Sequence, residues 1–210
     1  MSEQLKGIKA IIFDLGNVLI DLHYERAANR LAELSGLGVA ELNQLLVSSE
    51  VLKIFEVGGV SESDFRKEVC GLLKIQLGDE EFDQIWNSLL GDISAIRLVR
   101  LAELKKSYST FVLSNTNSIH LKSFDKNLQN AHGIEGIHTL VDKAYYSHEV
   151  RMRKPNADIY QFVLEEQNLT PEEVLFIDDR RDNIEAADAL GIRTFWNRKV
   201  DDWVGRLDYS

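Results

Sequence analysis

The sequence is poor in the residues that staple a chain or carry it through a membrane: it has one cysteine, two prolines and no apolar run of membrane-crossing length. A lone cysteine, Cys70, excludes a disulfide framework and any cysteine-based metal cluster. The short apolar runs exclude a transmembrane helix. No internal repeat or low-complexity tract is present. Positive charge is also scarce, with 24 Lys and Arg against 34 Asp and Glu, a formal net charge of −10. Such a surface repels phosphate backbones, so no nucleic-acid partner is expected. It also repels small phosphorylated molecules unless a site gathers positive charge locally, from a metal ion or a lysine. The first residues, Met1-Ser-Glu-Gln-Leu-Lys, are polar and lack signal-peptide character, so the expectation is a cytoplasmic protein with no membrane partner. The Asn168-Leu-Thr170 sequon is then idle.

What is present is a chain of 210 residues, 44% apolar, enough for one domain with a substantial insert. Ile11-Ile-Phe13 is an apolar run that stops at Asp14, before a Gly16-Asn17 turn. That reads as a buried parallel strand with an acid at its carboxyl end. Four patterns of one-sided helical spacing follow, marked by Ala28, Leu31 and Leu34; by Leu42, Leu45 and Leu46; by Phe65, Val69, Leu72 and Leu73; and by Phe82, Ile85, Trp86, Leu89 and Leu90. Ser61-Glu-Ser-Asp64 has the form of a capping box for the third. From Asp92 the pattern alternates. A helix is expected over about 94–106, strands at Thr110–Leu113, Lys143–Tyr146, Val174–Ile177 and Ile192–Trp196, a helix opening at Pro155, and another stopped by Gly191. The fold class is therefore α/β: a Rossmann-like parallel sheet with helices on both faces and an all-α helical cap inserted after the first strand. The expected division is a core of 1–21 and 92–210 and a cap of 22–91.

Three strands end in polar residues on one edge: Asp14, Ser114-Asn115 and Asp178-Asp179. Lys154 reaches the same edge from the loop before a helix. Each has a plain structural reading: a turn-forming Asp, a helix-capping Asp, a solvated lysine. Together they exceed it. Three converging carboxylates repel one another, so either some are protonated or a hard cation sits among them, and magnesium suits oxygen ligands. A carboxylate beside a lysine and a cation is suited to attack phosphorus and form an acyl phosphate. Ser114, the Asn115 backbone and Lys154 would meet the charge on the transferring group.

The order Asp14, Ser114, Lys154, Asp178-Asp179 resembles the four motifs of the haloacid dehalogenase superfamily, most of whose members are phosphatases. More narrowly, FDLGNVLIDL, LSNTNSIH, MRKPNADIYQFVL and FIDDRRDNIEAA resemble its α-glucose-1-phosphate phosphatase branch. The resemblance spans nearly the whole chain and puts 22–91 where members carry a helical cap. It implies a Mg²⁺-dependent phosphomonoester hydrolase acting on a small phosphorylated metabolite, a sugar phosphate. Asp14 would be nucleophile and metal ligand, the Gly16 carbonyl and Asp179 further ligands, and Asp178 a support for the metal through water. Ser114, Asn115 and Lys154 would hold the phosphoryl group.

One position departs from the pattern. Superfamily phosphatases carry a second Asp two residues after the nucleophile as general acid, and here that residue is Gly16. Asp21 and His23 are the nearest substitutes, though both also read as residues of a solvated hinge, and a positive φ at Gly16 would oppose restoring a side chain. Alternatives are a haloacid dehalogenase proper, which has little use for Asp178-Asp179, and a weakened binding or regulatory module, which would not need a nucleophile. A phosphorelay receiver carries its acid pair on the first strand and no helical insert. His120 and His148 lie near enough in sequence to Ser114 and Lys154 to border the expected cleft, but each reads first as a structural residue, and neither has metal-ligand spacing with another histidine. Trp86, Trp196 and Trp203 read as packing residues, while Phe55, Glu56 and Val57, before Gly58-Gly59, are candidates to face the substrate. Oligomeric state is not legible.

Overall fold

The fold is described by a computed structural model covering residues 5–207. Residues 1–4, part of the polar N-terminus discussed above, lie outside the described residues. Five parallel strands form one sheet in the order β3-β2-β1-β4-β5: β1 Ala10–Phe13, β2 Ser109–Ser114, β3 Lys143–Tyr146, β4 Val174–Asp178 and β5 Arg193–Trp196. The chain leaves β1 toward β2 and β3, then crosses back to β4 and β5. The point where the direction reverses lies between β1 and β4, and open α/β sheets place ligands there. Register aligns the strand ends. Phe13 pairs with Val112 on one side and with Ile177 on the other, so Asp14 and Asp178 come level.

Alternation along each strand builds two cores. Ile11, Phe13, Val112, Leu175 and Ile177 face helices α6 (Ala95–Leu104), α7 (Ser118–His132) and α11 (Asp202–Arg206). Ala10, Ile12, Phe111, Leu113 and Phe176 face α9 (Ala157–Gln167) and α10 (Arg181–Asp188). Between β1 and β2 stand α1 (Tyr24–Ser35), α2 (Val39–Ser48), α3 (Val51–Glu56), α4 (Glu62–Leu73) and α5 (Asp79–Asn87). Their apolar stripes meet in a third core around Phe65, which stacks on Phe55 at 4.0 Å and meets Phe82 and Trp86 edge-on. Ser61 caps α4 by accepting from the Asp64 N–H, as its capping box predicts.

Several expectations need correction. The sequence reading has nothing between Asn115 and Lys143, where the structure has the 15-residue α7, capped by Asn117 and burying Ile119, Phe124 and Leu128. It also lacks α3, α11 and the single turn α8 (Ser147–Val150). Pro155 does not open a helix. The Lys154–Pro155 bond is cis, Asn156 is still extended, and α9 begins at Ala157.

Arg97 of α6 ties the linker after β1 to the far end of the chain. Only 1% exposed, it donates to the Leu19 carbonyl at 3.0 Å, to Asp21 at 2.7 Å and to Asp201. Arg97→Met would keep much of the packing but strand the Leu19 carbonyl and both carboxylates. Because the carboxylates are partly solvated, the expected loss is about 2–3 kcal/mol in urea unfolding, below that for a wholly buried pair.

Candidate active site

Asp14 sits one residue past β1, Asp178 ends β4, and Asp179 follows it. Ligand atoms of these three carboxylates lie within 4.8 Å of one another. Lys154, 1% exposed, stands between two of them, donating to Asp14 Oδ1 at 2.8 Å and Asp178 Oδ2 at 2.7 Å. The loop carrying Lys154 is fixed by Asn115. Its amide donates to the Lys154 carbonyl at 2.8 Å, and its Oδ1 accepts the Lys154 N–H at 2.9 Å. With its side chain so committed, Asn115 offers the cleft its backbone. Ser114, at the end of β2, is buried and lines the same cleft.

The electrostatics follow from burial. Burial raises the Asp14 pKa, Lys154 lowers it and Asp178 raises it again, leaving it pushed up to about 7. Asp179 is also raised, chiefly by burial. Burial opposes the charge on Lys154, yet Asp14 and Asp178 together hold its pKa above the ordinary lysine value. One ammonium is thus too little positive charge for three carboxylates. A divalent cation with oxygen ligands fits that deficit. Asp14 Oδ2 has no donor among the described residues and is open to such an ion.

Asp178 differs from its neighbours. Its oxygens already accept from Lys154, from the Arg180 N–H at 2.8 Å and from Asn183 Nδ2 at 3.0 Å each. Asp178 therefore serves as the anchor that fixes Lys154. Two asparagines bind the carboxylates of the site in ways the sequence reading does not include. Asn183 braces Asp178, and its only sequence signal is its place one turn into the helix after the acid pair. Asn17, a turn residue with φ 54°, also donates to Asp179 Oδ2 at 3.0 Å while accepting the Leu22 N–H. Trp196, read as packing, holds the Asp179 carbonyl at 2.9 Å. Trp203 is buried, as expected, and donates to the Val18 carbonyl.

The strand ends open into a cleft of about 640 Å³ roofed by α1, α2, α3 and α5. Phe55, Glu56, Trp86, His120 and Arg153 line it, whereas Val57 and His148 do not. Glu56 reaches across to Arg153 at 2.9 Å. Gly58, with φ +67°, lies so close to the His148 carbonyl that a Cβ would stand 2.4 Å from its oxygen. That glycine lets α3 seat on the segment leading to Lys154.

Neither substitute for the missing acid takes its place. Asp21 is held by Arg97, and His23 faces Glu25 at 3.8 Å; neither lines the cleft. Gly16 is not in the left-handed region, so backbone conformation does not oppose a side chain there. What opposes a side chain there is Leu22, whose Cδ1 would lie 2.5 Å from a Cβ.

Lys154→Met would leave Asp14 and Asp178 facing each other in a buried site. Unfolding in EDTA should show a loss of about 3 kcal/mol, and Mg²⁺ should restore part of it by supplying charge at the same carboxylates.

Comparison with known proteins agrees with this geometry. The family model for haloacid dehalogenase-like hydrolases matches residues 8–191. The chain is 30% identical to a D-ribitol-5-phosphate phosphatase of Bacteroides thetaiotaomicron, over 93% of this chain and 95% of that one. It is 26% identical to a phosphorylated carbohydrates phosphatase of Thermotoga maritima, over 90% and 84%. A crystal structure of the HAD family enzyme bt-2542 of Bacteroides thetaiotaomicron has a TM-score of 0.89 at 31% identity, covering 97% of this chain and 100% of that one. Its complex with magnesium and inorganic phosphate has a TM-score of 0.81 at 32% identity, covering 90% and 93%. The chain belongs to the haloacid dehalogenase-like hydrolase family.

Proposed function

We propose that the protein hydrolyses phosphomonoesters of a small phosphorylated metabolite, a sugar or polyol phosphate, through an aspartyl phosphate on Asp14. The observation that carries this reading is Lys154 wedged between Asp14 and Asp178 at the strand ends, with Asp179 alongside. The sugar-phosphate class is supported by the two carbohydrate-phosphate relatives. Asp14, the Gly16 carbonyl and Asp179 would hold Mg²⁺, with Asp178 behind them. When bound, the ion supplies the positive charge that lets these carboxylates ionise together and that faces the phosphoryl oxygens.

The chain's own residues do the rest. An Asp14 carboxylate oxygen attacks phosphorus as the bond from phosphorus to the ester oxygen breaks, and the leaving alkoxide takes its proton from water. A water oxygen then attacks the acyl phosphate, releasing inorganic phosphate and regenerating the Asp14 carboxylate. Lys154, Ser114 and the Asn115 backbone hold the equatorial oxygens throughout. The helical layer over about 22–91 acts as a cap that excludes water and sets specificity. A haloacid dehalogenase would not need the carboxylate cluster, and a pure binding module would not need a lysine held against a potential nucleophile.

Asp14→Asn should abolish turnover with the fold intact by circular dichroism, and EDTA should abolish wild-type turnover reversibly. Residual activity in either case contradicts the mechanism. Asp179→Ala should raise the Mg²⁺ concentration needed for half-maximal rate by an order of magnitude or more; a titration identical to wild type would remove Asp179 from the ligand set.

The vacancy at Gly16 has a kinetic consequence. Without a side-chain acid, the leaving oxygen carries more charge in the transition state, and general acid help worth roughly 10²–10⁴-fold is missing. Rates over a graded series of aryl and alkyl phosphates should depend steeply on leaving-group pKa. Gly16→Asp with Leu22→Ala, which removes the blocking side chain, should flatten the dependence. A flat wild-type series would mean that another donor acts, and the exposed Glu25 at the cleft wall would be the first to replace.

A further inference from the structure

The cleft wall contains a polar pair that the proposed chemistry does not use. His120, one turn into α7, lies parallel to the Trp86 ring of α5, with centroids 5.4 Å apart and planes 3° from parallel. Both rings line the cleft. His120 Nδ1 faces Asn87 Oδ1 at 2.8 Å, which places a proton on Nδ1 and leaves Nε2 as a lone-pair acceptor. Nε2 has no partner among the described residues. Burial pushes the His120 pKa down to about 3, so the ring stays neutral and the acceptor stays available at working pH. Trp86 is about nine-tenths buried, and its Nε1–H is a buried donor without a partner among the described residues. An unsatisfied N–H in a native wall calls for an explanation, and a ligand is one.

The helix that carries His120 also fixes its distance from the chemistry. The Asn117 side chain caps α7 by accepting the His120 N–H at 3.0 Å, and Asn117 follows directly on the Ser114–Thr116 loop that lines the phosphoryl end. One rigid turn thus links the phosphoryl end of the cleft to the ring pair. Much of the remaining wall is apolar, with Leu31, Leu42, Leu46 and Phe55 among its residues. A few placed polar groups in an apolar cleft are the usual means of orienting a ligand.

We infer that Trp86 and His120 form a hydroxyl-reading subsite: a hydroxyl of the substrate's organic part accepts from Trp86 Nε1–H and donates to His120 Nε2. The inference rests on the phosphomonoesterase reading and deepens its sugar or polyol phosphate class by naming the two side chains that read a hydroxyl of the leaving group. A hydroxyl is the simplest group that satisfies a donor and an acceptor at once. An ammonium would leave the indole N–H unpaired, and a carboxylate would face the His120 lone pair.

The test compares phenyl phosphate, which has no hydroxyl, with glucose 6-phosphate and glycerol 3-phosphate. His120→Phe keeps a ring against Trp86 and removes the acceptor; Trp86→Phe keeps a ring and removes the donor. Each variant should lose about tenfold or more in kcat/KM on hydroxylated substrates, while phenyl phosphate should stay within about twofold of wild type. Equal losses on all three substrates would show that the pair only supports the fold, and unchanged values on all three would show that it does not meet the substrate; either overturns the inference. Wild type that cleaves phenyl phosphate but neither hydroxylated ester would overturn it while leaving the phosphatase reading intact. Wild type that cleaves none of the three in Mg²⁺ would count against the phosphatase reading itself.

Discussion

The active edge of this protein depends on one buried ammonium. Lys154 cannot sit almost wholly out of water without partners, and Asp14 and Asp178 cannot face each other without a cation between them. Each group makes the others tolerable. Much of the surrounding structure serves that contact: the level register of β1 and β4, the grip of Asn115 on the Lys154 backbone and the brace of Asn183 on Asp178. The arrangement remains short of positive charge, which is why a potential nucleophile with a pKa near 7 and a divalent cation belong to the same design.

The two aspartates of the β4 pair divide the work in a way their adjacency conceals. Asp178 is enclosed and fully engaged by three donor residues, so its charge positions the lysine. Asp179 lies one residue further out, steered by Asn17 and held at its carbonyl by Trp196. A strand turns successive side chains to opposite faces, so a pair at its end sends one acid inward and leaves the other at the opening.

The sheet and its reactive edge were legible because both arise from short-range patterns: apolar runs of strand length, each stopped by a polar residue. The carboxylates, Ser114, Asn115 and Lys154 could be named for that reason, and the structure brings them together. The side-chain pairings of the asparagines could not be. The amides of Asn17 and Asn115 find partners 162 and 39 residues away, Asn183 braces Asp178 from the following helix, and no local pattern marks such pairings. Helix α7 was hidden for a different reason. Its start, Asn117-Ser118, directly follows the phosphoryl loop, and polar residues near it mask the apolar spacing of Ile119, Phe124 and Leu128. Asp21 is the opposite case: an acid near the nucleophile in sequence whose side chain is committed to Arg97.

The groups proposed for chemistry and the roof of the cleft come largely from different parts of the chain. Strand ends and the loops beside them supply every group proposed to touch phosphorus, whereas the roof comes largely from α1, α2, α3 and α5. The roof is seated through Glu56 on Arg153, Gly58 on His148 and Trp86 on His120. Two of these contacts fall within the segment 148–153 that runs directly into Lys154, and the third falls on the helix that follows Ser114. The position of the roof and the position of the phosphoryl donors are therefore coupled through short, rigid pieces of backbone. A leaving group that fits the roof would favour the seated arrangement in which Lys154 and the Ser114 loop are correctly placed, so binding energy from the organic part of the substrate can be expressed in the rate of phosphoryl transfer.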